Sequence, residues 1–443
     1  MERVLKFLQS ANLYHLLMKG SIAVALIFLS LWWQGFAVFA IALLCLFVSI
    51  ENNEKSLLYA FFMYGFRSFY IFAIKELWAG FGVDFFIGFL LIFHLIRYIL
   101  FHYRKKQKLF IWPFIFLMLF LFHMLMPYGT VSVTGAMSHF FILLFILVFI
   151  LYFKSIDLRE LTIMFSVGLI LSCAFGLVML WADVFPFPKY YFGTAYRFSG
   201  ALSNPNTLYM ATLVSIFPLL FLFLHNRIGY EFYPLFVTVS IAGIFTMSRF
   251  WILVYLCTLV VFAVWYVLKN YRKKMLRIGI VAILLLCITI AFFPYIRENL
   301  YRLTNLGEEF LVVDEGHDPG RVGRWNDAFN EWTESPKTII FGVGIGKDAK
   351  WPEHNFYLFI LRRTGIIGGL LVLSLFISLY YFLNGKRWKL KIGLSTFFLG
   401  LLVLNLVVES MFRTFIFSLF VTMVLLIMTN EQKNEIAKRE KEG

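Results

Sequence analysis

The chain has 443 residues, of which 61% are hydrophobic and only 15% are charged. A soluble protein of this length would carry about a quarter of its residues as charged side chains, so the composition excludes an ordinary soluble chain. Apolar runs of about 15–22 residues recur from one end to the other, which is the length that a helix needs to cross a bilayer. Continuous runs favour helices over the alternating pattern of barrel strands. The sequence therefore predicts an all-α, polytopic integral membrane protein.

The apolar runs predict about 12–14 transmembrane helices, the lower number applying if the first two runs form one interrupted hairpin. The runs lie near residues 20–33, 35–50, 57–74, 85–101, 109–126, 137–153, 161–181, 207–225, 233–248, 250–268, 275–294, 357–383, 392–408 and 414–429. In chain order, we expect N-terminal transmembrane helices at 1–181, an extracytoplasmic loop at 182–206, central transmembrane helices at 207–294, a large extracytoplasmic loop at 295–353, C-terminal transmembrane helices at 354–429 and a cytoplasmic tail at 430–443.

The 40 Lys and Arg residues outnumber the 25 Asp and Glu residues, which gives a formal net charge of +15. In a soluble chain this charge would suggest a nucleic-acid partner, but here basic residues cluster in short loops between spans, at 102–108, 269–274 and 384–391. The positive-inside rule places such loops on the cytoplasmic side. Because no nucleic-acid-binding module is visible either, we expect membrane lipids and no nucleic acid as partners.

Polar and cationic side chains collect in the segments that this topology places outside. The loop at 182–206 contains Arg197 and ends in Asn204-Pro205-Asn206, directly before a span, and Arg249 stands between two spans with hardly any loop around it. An arginine at a membrane boundary costs free energy unless it is paired, and its planar guanidinium suits the oxygens of a phosphate. The helix after Asn206 would also point its first N–H groups toward the same side. These residues predict a site for an anionic ligand.

The large outer loop has a soluble-like composition and is predicted to hold one short helix at 322–333. It contains Arg321 and Arg324, and it ends in the glycine-rich run 342–346, followed by His354. The glycine run lacks the spacing of a nucleotide-binding loop, so it is predicted to form a turn. His354 can act either as a general base, because imidazole titrates near neutrality, or as a polar helix cap.

Structural roles stay open for two of the arginines. Arg197 and Arg324 could pair with loop acids such as Asp327 or Glu331, whereas Arg249 has no acidic residue nearby in sequence. No HExxH, EF-hand, GxSxG or Cys/His cluster occurs in the chain. We therefore expect no bound metal.

In their order and placement, these segments resemble the O-antigen ligase / O-antigen polymerase family of bacterial polytopic glycosyltransferases. The resemblance covers roughly residues 190–370, and the first 180 residues carry no matching motif. It rests on Arg197-Phe198-Ser199-Gly200 leading to Asn204-Pro205-Asn206, on Ser248-Arg249 opening a span, on Gly320, Arg321, Arg324 and Trp325, on Gly342-x-Gly344, on His354-Asn355-x-Tyr357-Leu358, and on Gly365.

The resemblance implies transfer of a glycan from an undecaprenyl-diphosphate carrier to an acceptor hydroxyl, at the outer face of the bacterial cytoplasmic membrane. The reaction would invert the anomeric carbon and would use no nucleotide sugar, cofactor or metal. His354 would be the general base, and Arg249 would stabilise the leaving diphosphate. Substrate-binding roles are implied for Arg197, Arg321, Asn204, Asn206, Asn355 and Tyr357. The large loop at 295–353 would close over the donor as a lid.

Three acceptor chemistries fit this resemblance. A polymerase, which we favour, joins repeat units on the lipid carrier; a ligase moves the finished glycan to a lipid A-core or another acceptor; a protein O-oligosaccharyltransferase uses a protein hydroxyl. From a different class, a flippase for polyprenyl-linked sugars would also span the membrane many times. Its charges would line a cavity at the membrane midplane, whereas the motif charges here lie in outer segments, which favours a glycosyltransferase.

Overall fold

The computed structural model describes residues 18–20, 22, 25–26, 28–29, 33, 35–50, 58–59, 61–62, 65–66, 92–94, 96–97, 157–182, 190–192, 195–200, 205–224, 227–246, 248, 251–252, 254–256, 258–260, 262, 320–344 and 355–384. Within these residues the regular structure is helical except for one short hairpin. The prediction of a helical protein is therefore confirmed for this part of the chain, and the hairpin is an addition that the hydropathy pattern does not predict.

The elements follow in the order α1 (Gly35–Ile50), α2 (Leu158–Ala182), β1 (Tyr190–Phe192), β2 (Ala195–Arg197), α3 (Pro205–Leu224), α4 (Phe232–Phe245), α5 (Gly320–Thr333), α6 (Pro336–Phe341) and α7 (Phe356–Asn384). The two strands pair antiparallel, with Tyr190 opposite Arg197 and Phe192 opposite Ala195. α3 begins at a proline, which suits the first helical position because an N–H there would have no partner within the helix.

α2 is the one helix among the described residues that is long and apolar enough to cross a membrane, over Leu158–Trp181. At about 1.5 Å per residue, its 24 residues exceed the hydrocarbon core of a bilayer, which is roughly 30 Å thick. α3 and α4 contain shorter apolar stretches, Thr207–Phe223 and Phe232–Phe245. Many of the other predicted spans lie outside the described residues, so the total number of spans stays a prediction.

The described elements fall into two compact units, one containing α1–α4 with the hairpin and the other containing residues 248–262 with α5–α7. In the first unit, Ser166 of α2 and Ser215 of α3 share a buried hydrogen bond of 2.5 Å between their hydroxyl groups. α2 also meets the helical piece near Gly65 backbone to backbone, because a Cβ at Gly168 would overlap the carbonyl of Phe62. Small residues of this kind let helices approach closely in a membrane.

An ion pair ties the start of α2 to the start of α4. Arg159 donates from Nε and Nη2 to Oε1 of Glu231, at 3.0 Å and 2.7 Å. Burial alone would raise the pKa of Glu231, but hydrogen bonds from the N–H groups of Gly229 and Glu231, together with the Arg159 guanidinium, outweigh it and hold this pKa below its ordinary value. Glu231 is therefore a carboxylate at neutral pH and keeps the pair charged.

Candidate functional site

In the second unit, Asn355, the residue that directly follows His354, caps α7. The Asn355 side-chain oxygen accepts hydrogen bonds from the N–H groups of Tyr357 at 3.0 Å and Leu358 at 3.1 Å. These N–H groups belong to the first turn of a helix, which leaves its donors without helical partners. Asn355 is 6% exposed, whereas Tyr357 is 36% exposed. The helix-cap role that the sequence allowed for His354 is therefore filled by the next residue.

α7 is interrupted at Gly365, where φ is 64° and ψ is −168°. Just before this break, the carbonyls of Arg362 and Arg363 accept hydrogen bonds from the N–H groups of Val343 at 2.7 Å and Gly344 at 3.1 Å. We call residues 356–364 the capped segment. The Asn355 side chain pairs with N–H groups at its start, and the glycine run pairs with carbonyl groups at its end. A short helix needs such partners because it cannot satisfy its own terminal groups.

The glycine run forms the predicted turn over its described part, which ends at Gly344. Gly342 and Gly344 have φ values of 77° and 91°, a region that side chains with a Cβ avoid. A Cβ at Gly342 would overlap the backbone of Arg363, and a Cβ at Gly365 would overlap the backbone of Ile340. The turn and α7 therefore meet backbone to backbone, which only glycine permits on both sides.

Two adjacent arginines of the capped segment are absent from the residues predicted from sequence. Arg362 is fully buried and donates from Nε at 2.8 Å and from Nη2 at 2.6 Å to Oε2 of Glu331 in α5. Arg363 is 5% exposed, and its guanidinium lies 4.7 Å from the centre of the Phe359 ring in a cation–π contact. Glu331, which the sequence offers as a partner for Arg324, thus binds Arg362. Placing two arginines inside a long apolar run costs free energy unless they have a role there. This cost is the feature of the sequence from which they could have been predicted.

α5 confirms the helix predicted in the large loop, although it begins at Gly320 rather than Val322. α6 is not predicted from sequence, yet its start carries a recognisable signal. Ser335 and Thr338 form a reciprocal capping box, and a proline stands in the first turn. The Trp332 indole N–H donates to the carbonyl of Ile339 at 3.2 Å and so joins α5 to α6.

In the first unit, Arg197 is tied to the C-terminal end of α4. Its Nε donates to the carbonyl of Thr246 at 3.0 Å, and the N–H of Phe198 donates to the carbonyl of Phe245 at 2.9 Å. A cation at a helix C-terminus complements the partial negative charge of the last carbonyls. From the sequence we expect a ligand anion or an acidic side chain as the partner of Arg197, and the structure adds a backbone acceptor.

The remaining predicted site residues are described in part or not at all. Asn204, Arg249 and His354 lie outside the described residues, and only the backbone is described for Asn206 in α3 and Arg321 in α5. Their proposed roles, and those of Arg197, Asn355 and Tyr357, stay predictions. Within the part of the chain that the structure describes, no three His, Cys, Asp or Glu side chains are grouped so that they could hold a metal ion.

Ser248, the neighbour of Arg249 in the chain, lies at the start of a helical stretch. Its side-chain oxygen is 3.4 Å from the N–H of Trp251, and its carbonyl accepts from the N–H of Ile252 at 3.2 Å. Ser248 is therefore placed as the N-cap of the helical residues between 251 and 262. A helix therefore begins at Ser248, as expected, and that this helix spans the membrane stays a prediction.

Residues 234–373 match the model of a protein family described as O-antigen ligase. The match covers just under a third of the chain and runs from α4 into α7. Comparison with curated proteins and with solved structures yields no match. The matched region contains Arg249, Arg321, His354, Asn355 and Tyr357, whereas Arg197, Asn204 and Asn206 lie before it. The resemblance drawn from the motifs is confirmed over this region: residues 234–373 are similar to the O-antigen ligase family, whose members are membrane proteins of polysaccharide biosynthesis.

Proposed function

We propose that the chain is a membrane glycosyltransferase that polymerises undecaprenyl-diphosphate-linked oligosaccharide at the outer face of the bacterial cytoplasmic membrane. The observation that carries the proposal is the O-antigen ligase match over residues 234–373, because this region contains both proposed catalytic residues, Arg249 and His354. The lipid-linked donor, the glycan acceptor and the side of the membrane follow from the motif resemblance and from the charge distribution in the loops.

In the proposed reaction, an acceptor hydroxyl attacks the anomeric carbon of the donor sugar, and the lipid diphosphate leaves with the bonding electron pair. His354 accepts the proton of the hydroxyl as general base. Arg249, together with Arg197 and Arg321, stabilises the negative charge that develops on the diphosphate. Attack opposite the leaving group inverts the anomeric carbon. Because guanidinium groups supply the positive charge, the mechanism requires no metal ion.

The geometry of the capped segment supports the role of His354. A general base must be held within hydrogen-bonding reach of its proton, so its neighbours need fixed positions. Residues 356–364 follow His354 almost directly, and they are held by the Asn355 cap, by the turn at 342–344 and by the bond from Arg362 to α5. The cap thus fixes the first turn of the segment that follows His354, and two contacts, with the turn and with α5, hold that segment in place.

The test is glycan transfer by the purified protein in nanodiscs, with undecaprenyl-diphosphate-linked repeat units, with and without a second acceptor, and in the presence of EDTA. His354→Ala and Arg249→Ala are compared with matched controls: His317→Ala, from the same predicted outer loop, and Arg227→Ala, from the loop before α4. We expect laddered products without a second acceptor from the wild type and both controls. His354→Ala and Arg249→Ala should each be slower by about a hundredfold or more.

Each other outcome points to a different conclusion. Product that forms only with a second acceptor would make the protein a ligase, the second candidate, which the match to the O-antigen ligase family favours. Full activity of both His354→Ala and Arg249→Ala would contradict the proposed site. Movement of the lipid-linked sugar across the membrane, without glycan transfer under any condition, would instead support a flippase.

A further inference from the structure

The end of α6 and one side of α7 expose apolar side chains next to each other. Ile340 and Phe341 are 43% and 40% exposed at the end of α6. On α7, exposed residues recur at a spacing of four and three, which places them on one helix face. We call the combined surface the apolar face, and it consists of Ile340, Phe341, Ile366, Leu370 and Leu373. Its two parts adjoin, because the backbone of Gly365 meets the backbone of Ile340 and Phe341 with no room for a Cβ.

The position of the apolar face along α7 indicates what covers it. α7 covers the apolar run at 357–383, which the sequence predicts to be a transmembrane span. At about 1.5 Å per residue, Gly365 lies roughly 13 Å along α7 from its first residue. The end of α6 packs against the helix at this point, so the predicted topology places it within the span. If the run spans the membrane as predicted, an apolar side chain exposed at that level would contact lipid.

The backbone around α6 is also satisfied in the way that a lipid environment requires. A bilayer core supplies no water to hydrogen-bond N–H and C=O groups, so protein groups must do so. The N–H groups of Thr338, Ile339, Gly342, Val343 and Gly344 all donate to protein oxygens, at 2.7–3.1 Å. The carbonyl of Ile339 accepts from the Trp332 indole as well. These five N–H groups and the Ile339 carbonyl therefore need no water.

The polarity of α6 changes along its length. Glu334 and Lys337 are exposed near its start, and the capping box of Ser335 and Thr338 lies there too, whereas the exposed residues at its end are apolar. Lysine side chains near membrane boundaries place their charge at the headgroups while their stems pack on apolar surface. A helix with a polar start and an apolar end fits an oblique insertion from the headgroups into the acyl chains.

We propose that α6 is inserted in the lipid bilayer, with the apolar face in contact with acyl chains and with Glu334 and Lys337 at headgroup level. The large loop is then anchored in the membrane at α6, and only the parts of it away from this anchor are available to close as a lid. This proposal rests on the predicted span at 357–383 and does not depend on the glycosyltransferase activity.

The experiment places a bimane label at residue 340 or 341 of the full chain, after the four native cysteines have been replaced by serine. Labels at 370, on the α7 part of the apolar face, and at 334, at the polar start of α6, serve as matched references. The protein is reconstituted in phosphatidylcholine vesicles with either doxyl-labelled lipid or aqueous iodide as quencher. We expect doxyl lipid to reduce the signal at 340 and 341 about twofold, as at 370, and iodide to quench mainly at 334.

Two results would overturn the proposal. Iodide quenching at 340 and 341 equal to that at 334 would place the end of α6 in water. Protection from both quenchers would show a protein surface over the apolar face, either a second copy or another segment of the chain. Lipid contact is also tested in the unaltered protein with a diazirine-bearing phospholipid. This lipid should label the peptide that contains Ile340 and Phe341. Labelling of the Leu370 peptide without labelling of this one would also refute insertion.

Discussion

The ion pair between Glu331 and Arg362 should respond unequally to the loss of its two partners. The Arg362 side chain is 0% exposed, whereas that of Glu331 is 31% exposed. Glu331→Gln removes the counter-charge of a guanidinium that water does not reach, whereas Arg362→Met removes the buried cation and leaves a carboxylate that water can solvate. We expect Glu331→Gln to lower the free energy of unfolding by about 3 kcal/mol and Arg362→Met to lower it by about 1 kcal/mol.

The measurement is unfolding of the purified protein by SDS in mixed detergent micelles, followed by tryptophan fluorescence. A loss of about 3 kcal/mol changes the unfolding equilibrium by roughly a hundredfold, which such a titration resolves. The Arg159–Glu231 pair provides the control, because it has the same donor atoms but side chains that are 32% and 14% exposed. Removing either of its partners should cost a similar amount, about 1 kcal/mol or less. Equal losses for Glu331→Gln and Arg362→Met, or a larger loss for the latter, would refute the reasoning from burial.

Three further predictions concern the turn, the cap and the dependence on pH. Gly342→Ala should lower the free energy of unfolding by at least about 2 kcal/mol, because its φ of 77° and the neighbouring backbone both exclude a Cβ. Gly369→Ala, whose Cβ would approach only the end of the Leu361 side chain, should change it by less than about 1 kcal/mol, and equal thermal stability of the two variants would contradict this account. Asn355→Ala should cost about 1 kcal/mol through loss of the helix cap, whereas Asn355→Asp keeps the cap. If Asn355 also binds substrate, Asn355→Asp will be as stable as the wild type and yet have a raised KM, and unchanged kinetics would restrict the residue to capping. The depressed pKa of Glu231 means that the unfolded state binds more protons, so its stabilisation is complete above the ordinary value of 4.5 and is lost as pH falls through the lower folded pKa. Glu231→Gln should flatten the acid limb of an unfolding titration, and an unchanged slope would show that the Glu231 carboxylate contributes nothing there.

The sequence by itself determines the helical class and several local features of the site region. A chain that is 61% hydrophobic and has long apolar runs forms helices because each helix satisfies its own backbone. The short helix near residues 322–333 and the turn at Gly342 and Gly344 are likewise local, since they depend on periodicity and on the conformational freedom of glycine. The motifs that indicate the O-antigen ligase family are also read directly along the chain.

Only the tertiary structure decides which side chains those motifs use as partners. Glu331 binds Arg362, 31 residues away, and Arg197 reaches the carbonyl of Thr246, 49 residues away. Neither pairing can be read from spacing, because each depends on which helix ends the fold brings together. The same holds for Gly365. Its positive φ and its lack of a Cβ are explained only by the tertiary structure, which places the turn at Gly342 against it. Local sequence therefore sets the elements, and packing between them sets the contacts that hold the candidate site.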